Sequence, residues 1–581
     1  MKRFQIYLIK PTRYDDEGYP LQWWRSIIPS NSLACLTGIV QDSLARGALQ
    51  GIETDLHVID EIHSFVSAQA ILRDIRAHGG HGFVGLVGVQ SNQFPRAMDI
   101  ARELVAGGIA VCIGGFHVSG CLSMLKELPP ELVEAQTLGI SLFAGEAEEG
   151  RMDAVLADAY KGTLEPVYNY LKATPDLTGA PIPIMPRGQI ERNINHYSSF
   201  DLGRGCPFEC SFCTIINVQG RKSRFRSADD LEAIIRANAA EGVSRFFVTD
   251  DNFARNKNWE EFLDRLIALQ GQGYPARLVI QVDTLAYKIP RFIDKCVAAG
   301  ADQVFIGLEN INADNLEAAK KKQNRVEDYR EMFLAWKKHP VVLTCGYIIG
   351  FPNDTYDSII HDIDILKNEL PIDTLYLNFL TPLPGSEDHR RLLDAGVWMD
   401  PDLTKYDLNH RITHHPRMSD DEWERAYRDA HRSFYSWEHM ERVIKRMVAL
   451  GSNKKLTTVN RLLAYREAVR LEGVAKLESG YIRIRRRKQR RPQLKREHPI
   501  IFYPRYFGHL VHGLGGAAIT LLRLRRILAR ALKDPARREY LDAAIMPVGA
   551  DNSILLSDTR STEHADRRRE RAHAAAGSIA A

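Results

Sequence analysis

The sequence predicts an α/β chain in which two runs of strand–helix alternation are followed by a helical C-terminal region. Three observations carry this. Short apolar runs bounded by Gly or polar turns alternate with helically spaced stretches from the N-terminus to about residue 180, and again from Ser198 to about Ser386. A Pro-rich connector (Pro166, Pro175, Pro181, Pro183, Pro186) separates the two runs. Past Ser386 the strand pattern stops.

In the first run, Ile6–Lys10, Thr54–Ile59, Phe83–Val89, Ala110–Gly114 and Ile140–Ala144 read as strands, and Val66–His78 and Pro95–Gly107 as helices. That rhythm reads as a doubly wound parallel sheet, which takes ligands at the carboxyl ends of its strands. Three loops stand at such ends: Val89-Gln90-Ser91-Asn92, Gly114-Gly115-Phe116-His117 and Gly145-Glu146-Ala147-Glu148-Glu149. Their glycines either admit a large ligand or simply make tight turns.

The second run has strands at Ser199–Leu202, Arg245–Thr249, Arg277–Val282, Gln303–Leu308, Val341–Ile349 and Thr374–Phe379. Helices fit Ala228–Ala240, Trp259–Gln270, Pro290–Ala299, Val326–Lys338 and Tyr356–Leu370, the first opened by a Ser227/Asp230 capping box.

Between the first two strands of this run lies Gly203-Arg204-Gly205-Cys206-Pro207-Phe208-Glu209-Cys210-Ser211-Phe212-Cys213, with three of the eight cysteines. The spacing would align three thiols on a helix, but Gly203, Gly205 and Pro207 favour a loop. Structural zinc wants four ligands, and His196 is the only histidine between Cys121 and Cys213. Three thiolates without a fourth suit a four-iron, four-sulfur cluster with one iron open.

Cys206-x-x-x-Cys210-x-x-Cys213, with an aromatic before the last cysteine, resembles the signature of the radical S-adenosylmethionine (SAM) enzymes. The resemblance implies that Cys206, Cys210 and Cys213 hold the cluster, that SAM chelates the open iron, and that the six strand–helix units form a partial (β/α)6 barrel. It also implies SAM contacts from Phe212, from Asp250, Asp251 and Asn252 after the second strand, from Glu309 in Gly307-Leu308-Glu309-Asn310, and from Gly350 in Gly346-Tyr347-Ile348-Ile349-Gly350-Phe351-Pro352. Gly114-Gly115-x-His117 and Gly145-Glu146-x-Glu148 resemble loops of the cobalamin-binding, Rossmann-like domain that precedes many such cores. On that resemblance Gln90, Ser91, Gly114, Gly115, His117, Gly145 and Glu146 would bind cobalamin. The other cobalamin signature, Asp-x-His-x-x-Gly, is missing: Asp55-Leu56-His57 continues Val58-Ile59-Asp60 inside a strand.

The expected activity is reductive cleavage of SAM with cobalamin-dependent methylation of an unactivated carbon. The alternatives are a radical cyclisation or rearrangement, or a cluster-bearing sensor without turnover. A methylthiotransferase fits less well, because Cys35, Cys112 and Cys121 do not form the second-cluster pattern. The substrate would be a small molecule or a lipid, and the electron donor a flavodoxin or ferredoxin. No catalytic side chain is assigned.

The remaining organisation follows from composition. The chain has 581 residues, 45% of them hydrophobic and 26% charged, as in a soluble globular protein. Its scattered cysteines and short N-terminal apolar run place it in the cytoplasm. The expected division is a cobalamin-type domain at 1–180 with a linker to about 195, a radical SAM core at 196–390, a helical domain at 391–480, a basic amphipathic segment at 481–548 and a disordered tail at 549–581. In the helical part, Ser419 and Glu422 make a capping box ahead of an aromatic-rich helix that packs on the barrel or lines a substrate site. His414-His415 reads as plain polar groups.

The net charge is +4, yet Gly480–Pro535 carries fifteen Lys/Arg against two acids, +13, leaving 4 − 13 = −9 for the rest. The uncharged Tyr506–Leu522 is too short to span a bilayer. An interfacial segment on anionic lipid, peripheral to the inner face of the membrane, and a solvated basic face both fit. The thin aromatic interleaving makes nucleic acid an unlikely partner.

Overall fold

The computed structural model describes residues 3–547. The expected tail at 549–581 lies outside the described residues. Two six-stranded sheets, each wholly parallel, dominate the fold. The first runs in the order Thr54–Asp60, Phe4–Lys10, Gly82–Leu86, Ala110–Gly114, Ser141–Ala144, Val167–Asn169. The first-made inner strand, Phe4–Lys10, is buried along nearly its whole length, as a strand covered on both faces must be. Its neighbours in the sheet are the second and third strands, so the order reverses there. Ligands of doubly wound sheets bind outside such a reversal.

The second sheet runs in chain order, Tyr197–Phe200, Arg245–Val248, Arg277–Val282, Ala301–Glu309, Val342–Ile349, Thr374–Phe379. It is the partial (β/α)6 barrel, and the Ser227/Asp230 capping box is formed. One register shift, between Gly307 and Glu309, bends the fourth strand at its carboxyl end.

Several elements differ from the sequence reading. Helix Asn31–Ala45 was not expected. It packs between the sheets, with Ser30 capping its start and Ser199 Oγ donating to Pro29 O at 3.3 Å. The Pro-rich connector is less a linker than part of the first sheet, supplying helix Arg151–Lys161 and strand Val167–Asn169. Its remainder lies on the Asn31–Ala45 helix, where a Cβ on Gly38 would stand 2.0 Å from Ile182 O.

Helix Asp420–Phe434 has the expected Ser419/Glu422 capping box and closes the open edge of the barrel. Tyr427 stacks on Phe379, and Tyr435 Oη donates to Leu375 O at 2.6 Å. His415 is buried in a turn, its Nδ1 accepting from the Arg417 and Met418 amides, while exposed His414 stacks on Trp398.

The basic segment requires the largest correction, because much of it is not a free face. Gly480–Ile484 is a strand paired antiparallel with Gln22–Ser26. Arg483 and Arg485 reach Asp15, Arg485 and Arg505 reach Glu17, and Arg491 reaches Asp402. Partly buried carboxylates, two of them near the N-terminus, take up this charge. Helix Pro499–Lys533 follows, burying Phe502, Leu524, Ile527 and Leu528. Along the rest of that helix Ile500, Tyr503, Phe507, Val511, Leu514 and Leu522 remain exposed. Among the described residues, no helix is long and apolar enough to cross a membrane.

Candidate active site

The cysteine loop leaves the carboxyl end of Tyr197–Phe200 and is pinned on three sides. Cys206 N donates to Gly220 O, Ser211 N to Ala319 O, and Asn217 Nδ2 to Gly385 O. Cys210 is buried, and Cys206 and Cys213 are half-buried. Burial raises the Cys206 thiol and pushes the Cys213 thiol up to about 12, so ionisation needs a bound cation. Donors are ready for thiolates: backbone N–H groups of Phe208, Ile215 and Ile216, and Gln323 Nε2, 3.6 Å from Cys210 Sγ. Exposed His196 precedes the strand whose far end carries the cysteines, so it is no fourth ligand. Three buried or half-buried thiols with hydrogen-bond donors fit an iron–sulfur cluster open on one side.

Around this loop the barrel mouth is charged. Glu309 ends its strand in the left-handed region, φ 63°, a conformation that costs energy in a non-glycine residue. Its carboxylate holds Lys321 Nζ at 2.8 Å, and that ammonium lies 5.8 Å from the Phe212 ring centre. Burial would lower the Lys321 pKa, but Glu309 and Cys210 raise it above the ordinary value. Asp250 is turned away, accepting from Leu202 N at 2.7 Å and from Asn256 Nδ2 at 3.3 Å. Burial raises Asp250 and Asp251 to about 7 each, the charge of Asp250 adding to the rise at Asp251.

Asn252 Nδ2 donates to Asp283 at 2.8 Å, leaving its Oδ1 buried without a partner. Gly350 is demanded by the fold itself. At φ +101° its Cβ would lie 2.2 Å from the Trp423 indole.

Arg204, inside the cysteine motif, joins the two sheets. It is paired with Asp201 at 3.0 Å, Glu146 at 2.7 Å and Glu148 at 2.8 Å, while Arg224 also holds Glu146. Thus the acidic loop after Ser141–Ala144 reaches across to the cluster loop. Asp201 also accepts from Asn31 Nδ2 at 3.1 Å and from the Cys35 thiol at 3.2 Å.

Beside Arg204 an open cavity of ≈ 1000 Å³ enters the first sheet between its core strands and the Asn31–Ala45 and Arg151–Lys161 helices. Leu8, Phe83, Cys112, Phe143, Met152 and Val155 make it apolar, while Arg204, Val218 and Gln219 form its wall on the cysteine side. Three lining oxygens, Asn31 Oδ1, Glu148 Oε2 and Gln219 Oε1, are buried without a hydrogen-bond partner. Buried acceptors left unpaired are costly, so these call for ligand N–H donors.

Of the residues expected at cobalamin, Gly114, Gly115, Gly145 and Glu146 line this cavity. Gln90, Ser91 and His117 do not. Exposed Gln90 starts a short helical turn, and fully buried His117 faces Ser91 Oγ at 3.0 Å through Nδ1. Gly115 is fixed by the chain: at φ +148° its Cβ would lie 2.1 Å from Val89 N. Sequence reasoning assigned no role to Arg204, Lys321, Gln323, Asn31 or Gln219. Only Arg204 carried a signal, its place inside the Gly-Arg-Gly-Cys run.

Residues 201–366 match the Radical SAM superfamily model. The chain is 27% identical over 325 residues to bacteriochlorophyllide d C-12(1)-methyltransferase of Chlorobaculum tepidum, covering 54% of this chain and 66% of that protein, just under two thirds of its length. It is 24% identical over 387 residues to the bacteriochlorophyllide d C-8(2)-methyltransferase of the same organism, covering 64% and 80%. It is 23% identical over 326 residues to the hopanoid C-2 methylase of Rhodopseudomonas palustris, covering 54% and 58%. Among solved structures, the radical SAM methyltransferase TsrM of Kitasatospora setae, with tryptophan substrate and a SAM analogue, aligns with TM-score 0.51 at 15% identity over 77% of this chain and 89% of that one. The cobalamin-dependent radical enzyme OxsB, with aqua-cobalamin and SAM bound, aligns with TM-score 0.50 at 13% identity over 93% and 81%. At these identities the likeness to the solved structures is one of fold.

Proposed function

We infer, for a chain that is a radical SAM protein, that it is a cobalamin-dependent methyltransferase acting on an unactivated carbon. One observation carries the cobalamin part: an apolar cavity at the strand-order reversal, bearing three orphaned oxygen acceptors and opening beside the cysteine loop. A corrin is broad, apolar over its faces and fringed with amide N–H donors, which is the complement of that lining. Cys206, Cys210 and Cys213 would hold the cluster. Lys321, Glu309, Asp251 and Asn252 would contact SAM. When bound, cluster and SAM supply a carbon-centred radical, and cobalamin a transferable methyl group.

The chain's own residues position and shield. Arg204 ties Glu146 and Glu148 to the cysteine loop, fixing one cofactor's wall against the other's. Gln323 and the loop amides supply hydrogen bonds to sulfur, and Lys321 sets a positive charge beside the thiols. A flavodoxin or ferredoxin would deliver the electron. The test is anaerobic reconstitution with cobalamin and methyl-labelled SAM. Cobalamin uptake near one per chain and label in product support this reading. Cluster assembly and SAM cleavage with no cobalamin uptake would shift it to a radical rearrangement, and no SAM cleavage at all to a sensor.

A second feature bears on the substrate. The Pro499–Lys533 helix contains six Lys/Arg and no acid. Its exposed Ile500, Tyr503, Phe507, Val511, Leu514 and Leu522 recur every three to four residues apart from one wider gap, forming one stripe. A second copy of this helix would bring cations against cations, whereas an anionic lipid surface complements both stripe and charge. The helix therefore seats the enzyme on a membrane and gives it access to an apolar substrate there. Co-sedimentation with anionic vesicles should be lost in Phe507→Glu/Val511→Glu, with iron content unchanged. Binding to RNA instead, or equal behaviour of the variant and the parent, would remove the membrane.

A further inference from the structure

On the side of the first sheet away from the cofactor cavity, His117, Cys121 and Glu131 bring an imidazole nitrogen, a thiol sulfur and a carboxylate oxygen within 4.8 Å of one another. The sequence builds this economically. His117 and Cys121 are four residues apart on helix Phe116–Met124 and share one face. Glu131 comes from the first turn of helix Pro130–Thr137.

His117 is fully buried, and its Nδ1 is engaged by Ser91 Oγ at 3.0 Å. That fixes the ring and turns Nε2 toward the other two groups. Nε2 lies 3.3 Å from Glu131 Oε1, yet the geometry there is not that of a hydrogen bond, and Nε2 has no other partner. A ring nitrogen facing a carboxylate oxygen at this distance is satisfied by a cation between them, either a proton or a metal ion.

A further imidazole stands outside that 4.8 Å group. His389, on helix Glu387–Asp394 beyond the barrel, lines an open cavity of ≈ 1280 Å³ together with Cys121 and Glu131. It is 7% exposed and its Nδ1 has no hydrogen-bond partner. Helix Phe116–Met124 already touches the loop that leads into helix Glu387–Asp394: a Cβ on Gly120 would lie 2.4 Å from Pro384 O.

We propose that His117, Cys121, Glu131 and His389 form a structural zinc site that staples the first sheet to the end of the barrel. Two nitrogens, one sulfur and one oxygen suit Zn²⁺ in a tetrahedral shell. Ligand–ligand separations in such a shell are about 3.3–3.8 Å, so His117, Cys121 and Glu131 close by roughly one ångström and His389, outside their group, swings further across the cavity to complete the shell. The cavity beside Cys121, Glu131 and His389 gives the ion an entry path. Binding displaces the thiol proton of Cys121.

The experiment is metal analysis of the cluster-loaded enzyme after equilibration with buffered Zn²⁺ and gel filtration. One zinc per chain is expected in addition to the cluster iron. X-ray absorption should show one sulfur at about 2.3 Å and lighter ligands at about 2.0 Å. Cys121→Ser and His389→Gln should each lower zinc affinity at least tenfold while leaving iron unchanged. The Cys206→Ala/Cys210→Ala/Cys213→Ala variant should retain zinc, which separates this site from misloading of the cysteine loop. His389→Gln lies on a cavity wall and keeps the test available if Cys121→Ser does not fold. Wild-type enzyme without zinc would mean that His117 and Glu131 share only a proton. Zinc lost from the triple variant but kept in His389→Gln would equally overturn the proposal.

Discussion

The cavity of the first sheet and the mouth of the second meet at Arg204 but are walled by opposite chemistry. Leu8, Phe83, Phe143 and Val155 line the one, with a few orphaned oxygens at its rim. Thiols, Glu309, Lys321, Asp251 and Asn252 line the other. An apolar slot holds a large body by removing area from water, and its grip falls off gradually as the slot is filled. A cluster of charges and thiols holds ions through a few indispensable atoms. Single substitutions should therefore be all-or-none on the barrel side and graded on the sheet side.

The sharpest break should come at the thiols. Cys210→Ala should lose cluster iron and lower SAM cleavage at least ~1000-fold, whereas Cys296→Ala and Cys345→Ala, buried in the core, should keep the cluster. Normal iron in Cys210→Ala would refute the assignment. Arg204→Met tests the join itself. It leaves Asp201, Glu146 and Glu148 buried without their shared cation, at a cost of about 3–5 kcal/mol, visible as a lower unfolding midpoint. A change under 1 kcal/mol would show that Arg224 and Arg226 suffice.

On the sheet side, Val155→Phe fills the cavity without touching the cysteine loop, and should weaken cobalamin uptake about tenfold with iron unchanged. Gly115→Leu cannot serve, since its side chain would strike the Val89 backbone.

The smallest effect is a pH dependence away from both linings. Burial would lower His410, but its hydrogen bonds to Asp16 and Asp407 hold it at about 10. Its unfolded value is near 6.5, so its contribution is complete below that pH and is lost between about 6.5 and 10. His410→Gln should cost about 1–2 kcal/mol at pH 6 and little at pH 10, by thermal unfolding at both. A pH-independent difference would exclude the ion pairs.

Periodicity and turn residues made both parallel sheets readable, because each strand–helix unit carries its own local pattern. The cysteine spacing was equally local. What stayed hidden was set by distant partners. Glu146 reads as a loop carboxylate until Arg204 and Arg224 arrive 58 and 78 residues later. Gly350 looks like cofactor clearance until Trp423 is packed against it. The basic run at 483–491 looked like a surface because it contains no acid of its own, and Asp15 is 468 residues away from Arg483. The Asn31–Ala45 helix was missed because its face toward the cavity mixes Asn31, Ser32 and Cys35 with Leu36 and Ile39, which blurs the apolar stripe.

The pairing of Gln22–Ser26 with Gly480–Ile484 also sets a timetable for biogenesis. At about 5–20 residues per second, a ribosome needs on the order of 20–90 s to travel from Asp15 to Arg483. For that interval Trp23 lacks its Arg483 cover, and Asp15 waits beside an unpaired strand. The strand Gln22–Ser26 is thus open to chaperones and proteases until Gly480–Ile484 emerges. The pairing of Gln22–Ser26 closes only after the whole barrel has been made.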